Sequence, residues 1–157
     1  MLHAGVRIDT PPDFEIEQAM ISFRGPAPTT IEARALQRQT VIRPSLIVNR
    51  RDVGPDATLG ILAGEVTAEL VSTIDGLSAL ATEAFSYADG EPGVIVSFDF
   101  AAPGVGTARQ YHAVRLDGRI LTTVTLTIDK LTLTEPIKAK WLALLSSVVR
   151  AGDGDIS

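Results

Sequence analysis

The two histidines, His3 and His112, come first among residues that could do chemistry, since an imidazole can ligate a metal or carry a proton near neutral pH. Neither has a second histidine or a carboxylate at metal-ligand spacing. Asp99 and His112 could face one another across a hairpin, but two residues do not make a site, and the simpler reading of His112 is an exposed polar position on a strand. Asp153 and Asp155, with glycine between them, resemble a fragment of a calcium loop whose other ligands are missing. Gly104-Val105-Gly106-Thr107 reads as a hairpin loop, because no helix follows it to receive a phosphate. The serines lack the nucleophile-elbow pattern. The expectation is therefore a protein that is not an enzyme and holds neither metal nor cofactor. Gln110 is left with two readings: an amide among apolar neighbours that needs partners for its N–H groups and carbonyl, or a polar residue on a solvated face. Asn49 carries the same ambiguity.

Composition narrows the field further. A chain of 157 residues with 45% hydrophobic content has the size of one domain with one core. The absence of cysteine excludes disulfides, thiolate-held zinc and a thiol nucleophile, and suits a reducing compartment. A formal charge of −5, with fourteen scattered Lys and Arg residues, argues against nucleic acid. No apolar run is long enough to cross a membrane and no signal-peptide pattern opens the chain, so the expectation is a soluble, cytoplasmic protein. Besides Trp141 there are only seven aromatic residues, and the core must be built from Leu, Ile, Val and Ala.

The elements that would position these residues follow from periodicity. Val94 to Asp129 alternates as an antiparallel meander, with Asp117-Gly118 predicted as the centre of a type I′ turn. Val94, Val96, Phe98 and Phe100 share one face there, and Ile95, Ser97 and Asp99 the other. Further strands are expected at His3–Asp9 (a short edge strand), Phe14–Phe23, Ser45–Arg50 and Leu77–Tyr87, and a short helix over Thr29–Thr40. Thr58 to Ile74 is the strongest helix, with Leu59, Leu62, Ala63, Val66, Leu70 and Ile74 forming one stripe and Asp56 or Thr58 as its cap. A second helix follows Thr134-Glu135-Pro136 and should bring Trp141 into the core. The expected architecture is α+β: a twisted antiparallel sheet of about six to seven strands with two long helices clustered on one side of it. Residues 1–150 form the single domain and 151–157 a disordered tail.

The run Glu17-Gln18-Ala19-Met20-Ile21-Ser22-Phe23, then Leu46-Ile47-Val48-Asn49-Arg50-Arg51, the helix from Thr58-Leu59 to Leu70, and Arg109-Gln110-Tyr111 before a Thr-rich strand together resemble the DcrB-like Eag chaperones of bacterial type VI secretion. The resemblance spans nearly the whole chain and rests on element order and pattern. It implies a PsbP-like sandwich and a cytoplasmic homodimer. It also implies a concave apolar groove that shields the N-terminal transmembrane helices of a secreted effector until loading. The positions it would assign to client binding are Met20, Ser22, Leu62, Val66 and Gln110. Glu65 and Ala108 depart from the family's pattern, in which glutamines are expected nearby. Small residues such as Gly60, Gly64 and Ala68 would let a client helix pack closely. A non-enzymatic small-ligand or regulatory module on the same scaffold is the alternative reading.

Overall fold

A computed structural model of the chain describes residues 2–3, 6–7, 18–24 and 42–148. Within them the chain runs β1 (Leu2–His3), β2 (Val6–Arg7), β3 (Gln18–Arg24), β4 (Ser45–Asp52), α1 (Leu59–Thr73), β5 (Ser78–Ser86), β6 (Pro92–Ala102), β7 (Gly106–Asp117) and β8 (Ile120–Asp129). One turn of 3-10 helix (Lys130–Thr132) then leads into α2 (Glu135–Ser146). The helix expected over Thr29–Thr40, the start of the strand expected from Phe14, and the tail 151–157 lie outside the described residues.

The meander forms the middle of one antiparallel sheet of six strands in the order β3-β4-β8-β7-β6-β5. Among the described residues the expected first strand is not part of it: β1 and β2 pair with each other in a separate two-stranded sheet. At the β7–β8 turn, Asp117 pairs with Ile120, so the two loop residues are Gly118 and Arg119. Gly118 has φ +60° and Arg119 does not enter positive φ, which is the pattern of a type II′ turn and corrects the expected type I′ turn on Asp117-Gly118.

Residues paired across strands share a face, so the register sorts the side chains into two sets. Ile95, Ala113, Val124 and Val48 stand in one row, and with Tyr111, Leu126 and Ile128 they pack against Leu145 and Trp141 of α2. Val114, adjacent to Ala113 on β7, points the other way and packs with Leu121 against Leu62 of α1. The two helices therefore lie on opposite faces of the sheet. This corrects the expectation that they cluster on one side, and the reason lies in β7, whose consecutive residues 111 to 115 are all buried, leaving no solvent face for that strand.

Thr58 caps α1, its Oγ1 accepting from the Ile61 N–H at 3.3 Å. Thr134 occupies the corresponding place before α2, but its side chain makes no capping bond, and that helix has Glu135 and Pro136 in its first turn instead. Gly93 on β6 permits the Tyr87 ring to lie flat on the sheet: a Cβ there would sit 2.4 Å from Tyr87 Cε2 and 2.8 Å from the Val114 carbonyl oxygen.

Candidate binding face

α1 packs over β6 and β7, and among the described residues no helix covers a strip of the same face that runs across β8 and β4 to β3. Three cross-strand rows floor this strip: Met20–Asn49–Thr123, Ser22–Ile47–Thr125, and Ser45–Thr127–Gln110. None of the nine is buried, and Met20 is 66% exposed. The sequence pattern explains the composition, because β8 alternates leucine, valine and isoleucine on the α2 face with Thr123, Thr125 and Thr127 on this one. Each threonine offers a methyl and a hydroxyl, so the floor can meet an apolar surface while satisfying isolated polar groups.

Of the five residues assigned to client binding, Met20, Ser22 and Gln110 lie on this strip, and Val66 is a half-buried residue of the helix that borders it. Leu62 does not belong with them. It is 4% exposed, packed between Val114 and Leu121, and is a core residue that an incoming molecule reaches only by displacing α1. Gly60, Gly64 and Ala68 are exposed on the side of α1 turned away from Leu62 and Val66, and no atom lies within 4 Å of a Cβ built on either glycine. They leave the sheet-facing side of the helix unchanged.

Gln110 begins a closed polar chain. Its Nε2 donates to Thr127 Oγ1 at 2.8 Å, its Oε1 lies 2.7 Å from His112 Nε2, and His112 Nδ1 lies 3.1 Å from Thr125 Oγ1. The imidazole is stacked on Phe98 with ring centroids 5.8 Å apart. It is 8% exposed, which corrects the expectation of a solvated histidine, and burial lowers its pKa to about 4. His112 and Asp99 do not meet: His112 pairs with Val96 and Asp99 with Arg109, one residue out of phase, so their side chains leave opposite faces.

Two ionic clusters that sequence reading missed lie on the α2 face. Asp99, buried, binds Arg109 and also Lys130 Nζ at 2.7 Å, and these bonds, the arginine's foremost, hold its carboxyl below the usual range. Arg115, 2% exposed, donates all five of its N–H groups: to both oxygens of Asp117, both oxygens of Asp89, and the Val148 carbonyl at 3.1 Å. Its guanidinium also lies 5.1 Å from the Tyr87 ring centroid. Alternation did place Arg115 on a strand of the meander, but of its partners only Asp117 is near in sequence, Asp89 and Val148 coming from 26 and 33 residues away. No group of three or more potential metal ligands occurs among the described residues.

No family model matches this chain, and no curated protein matches it. Among solved structures it is similar to the crystal structure of PA94 from Pseudomonas aeruginosa, a protein of unknown function put forward as a regulator. That similarity has a TM-score of 0.66 at 16% sequence identity over 92% of each chain. It shows a shared fold.

Proposed function

We propose that this chain is a cytoplasmic, homodimeric chaperone or adaptor that binds and shields the N-terminal transmembrane helices of a type VI secretion effector before loading, on a PsbP-like scaffold of the DcrB-like Eag kind. The observation that carries the reading is the strip beside α1 that no helix covers among the described residues, floored by Met20, Ile47 and the threonine row. Its width from β3 to β7 spans three strand spacings, roughly 14 Å, against about 10–12 Å for an α-helix with its side chains. An apolar helix laid there would leave water at roughly 25 cal/mol per Å² of surface buried. Val66 and Met20 would border it, and Ser22 and Gln110 would meet its polar groups.

The polar chain through Gln110 and His112 favours one further reading, a non-enzymatic module for a small polar ligand or a regulatory partner. Co-expression with an effector's N-terminal apolar segment separates the two. The chaperone reading expects a soluble complex of defined mass containing two copies of this chain. A segment that stays insoluble while this chain elutes alone would overturn it.

A further inference from the structure

We propose that β5 is the edge through which two copies of this chain pair, antiparallel and centred on Ala84, so that two six-stranded sheets become one. The homodimer belongs to the function proposed above; its placement rests on the edge itself. β5 ends the sheet among the described residues, and it is nine residues long with one charge, Glu83, and neither lysine nor proline. Lysine and proline are usual devices that stop an edge from pairing, and since the bulge of β5 is confined to Ser78–Ala81, the stretch from Thr82 to Ser86 is left as a template for another strand. Its side chains are mostly exposed although Ala79, Leu80, Ala81 and Ala84 are apolar.

The direction of the backbone groups follows from the hairpin. Tyr87 N donates to the Glu91 carbonyl, and Pro92, opposite Ser86, has no N–H to give. Hydrogen-bonded pairs with β6 therefore fall at Phe85, Glu83 and Ala81, and the N–H and C=O groups of Ser86, Ala84 and Thr82 point outward.

Three observations select the register. A centre on Glu83 would set the one carboxylate against its own copy at the closest approach between strands. A centre on Thr82 would draw in the irregular stretch between Ser78 and Ala81, where Ala79 has φ +53° and the ladder is broken. A centre on Phe85 would keep only the three residues up to Ser86 in the ladder. Centring on Ala84 sets Thr82 against Ser86, Glu83 against Phe85, and a methyl against a methyl, with three pairs that each exchange two backbone bonds. Both open strips then lie on one side of the joined sheet, at its far ends, because β3 is the edge opposite β5.

The chain has no cysteine, so Ala84→Cys supplies the only thiol. Under mild oxidation that variant should cross-link to itself faster than Ser72→Cys on the exposed side of α1 and faster than Thr82→Cys. A rate no greater than that of Ser72→Cys overturns the interface, and a faster Thr82→Cys overturns the register. Ala84→Pro removes only an outward N–H, so light scattering should fall from two chain masses to one while circular dichroism is unchanged. Should that variant lose its fold, Ala84→Lys gives the same readout. A dimer that survives either substitution overturns the proposal. Client capture is scored separately, so a failed chaperone reading and a failed interface give different results.

Discussion

Oε1 of Gln110 lies 2.7 Å from Nε2 of His112, and because the amide oxygen can only accept, that ring nitrogen carries the proton. Nδ1 is then the acceptor for the Thr125 hydroxyl, and the ring is held neutral with both nitrogens satisfied.

That state makes stability depend on pH in a defined window. The folded pKa is about 4 against an ordinary 6.5, so the imidazole's contribution is complete above 6.5. As pH falls from 6.5 the unfolded chain binds a proton that the folded chain refuses, and stability is lost until about pH 4, at about 1.4 kcal/mol per unit. Urea midpoints measured across this range should decline in the native protein and stay nearly level in His112→Gln. An imidazole that titrates near 6.5 by NMR would contradict the assignment.

Arg115→Met should cost about 3–5 kcal/mol, because it leaves the carboxylates of Asp89 and Asp117 facing one another without their shared cation. Asp89→Asn should cost less, since Asp89 is the more exposed partner and keeps an acceptor toward Arg115. Chemical denaturation of the two variants at neutral pH checks the order.

Glycine substitutions should change sign with position. Gly93→Ala drives a methyl into the Tyr87 ring and the Val114 carbonyl, and should destabilise by about 1–3 kcal/mol or prevent folding. Gly60→Ala and Gly64→Ala, in open space on α1, should each raise stability by up to about 1 kcal/mol. Thermal melts of the three decide whether the helix glycines serve packing within the chain.

Met20→Asp and Leu62→Ala should separate binding from folding. The first places a charge on the open strip, and should abolish client retention in co-purification with the melting temperature unchanged. The second removes a buried side chain between Val114 and Leu121, and should cost about 2–5 kcal/mol. A Met20→Asp variant that still holds its client would remove the strip from the mechanism.

Local pattern was enough to place the long elements. The 3.6-residue stripe of Leu59, Leu62, Val66 and Leu70 gave α1, and alternation gave the sorting of Val96 and Phe98 from Ile95 and Asp99. What alternation does not carry is which helix covers which face, since that depends on how Ala113 and Val114 are divided between two distant segments. The candidate strip was legible only in pieces. Met20, Ser22 and Gln110 share one face of the sheet across the two intervening strands β4 and β8, and strand order is a long-range property. Leu62 was misplaced because an apolar helix residue looks the same whether it contacts its own sheet or a guest. His112 was read as exposed because nothing beside it in sequence indicates that Thr125 and Phe98 enclose it.

The division of β7 between two cores has one more consequence, for how the sheet finds its alignment. Because Arg115 and His112 sit on opposite faces, sliding β7 by one residue would exchange their surroundings. The guanidinium would turn toward α1, away from Asp89 and the Val148 carbonyl, and the imidazole would turn toward α2, away from Thr125 and Phe98. The apolar residues flanking them, Ala113 and Val114, would tolerate that exchange far better. The strand's polar residues thus act as a lock on its register, penalising the slipped sheet more heavily than its hydrophobic residues can.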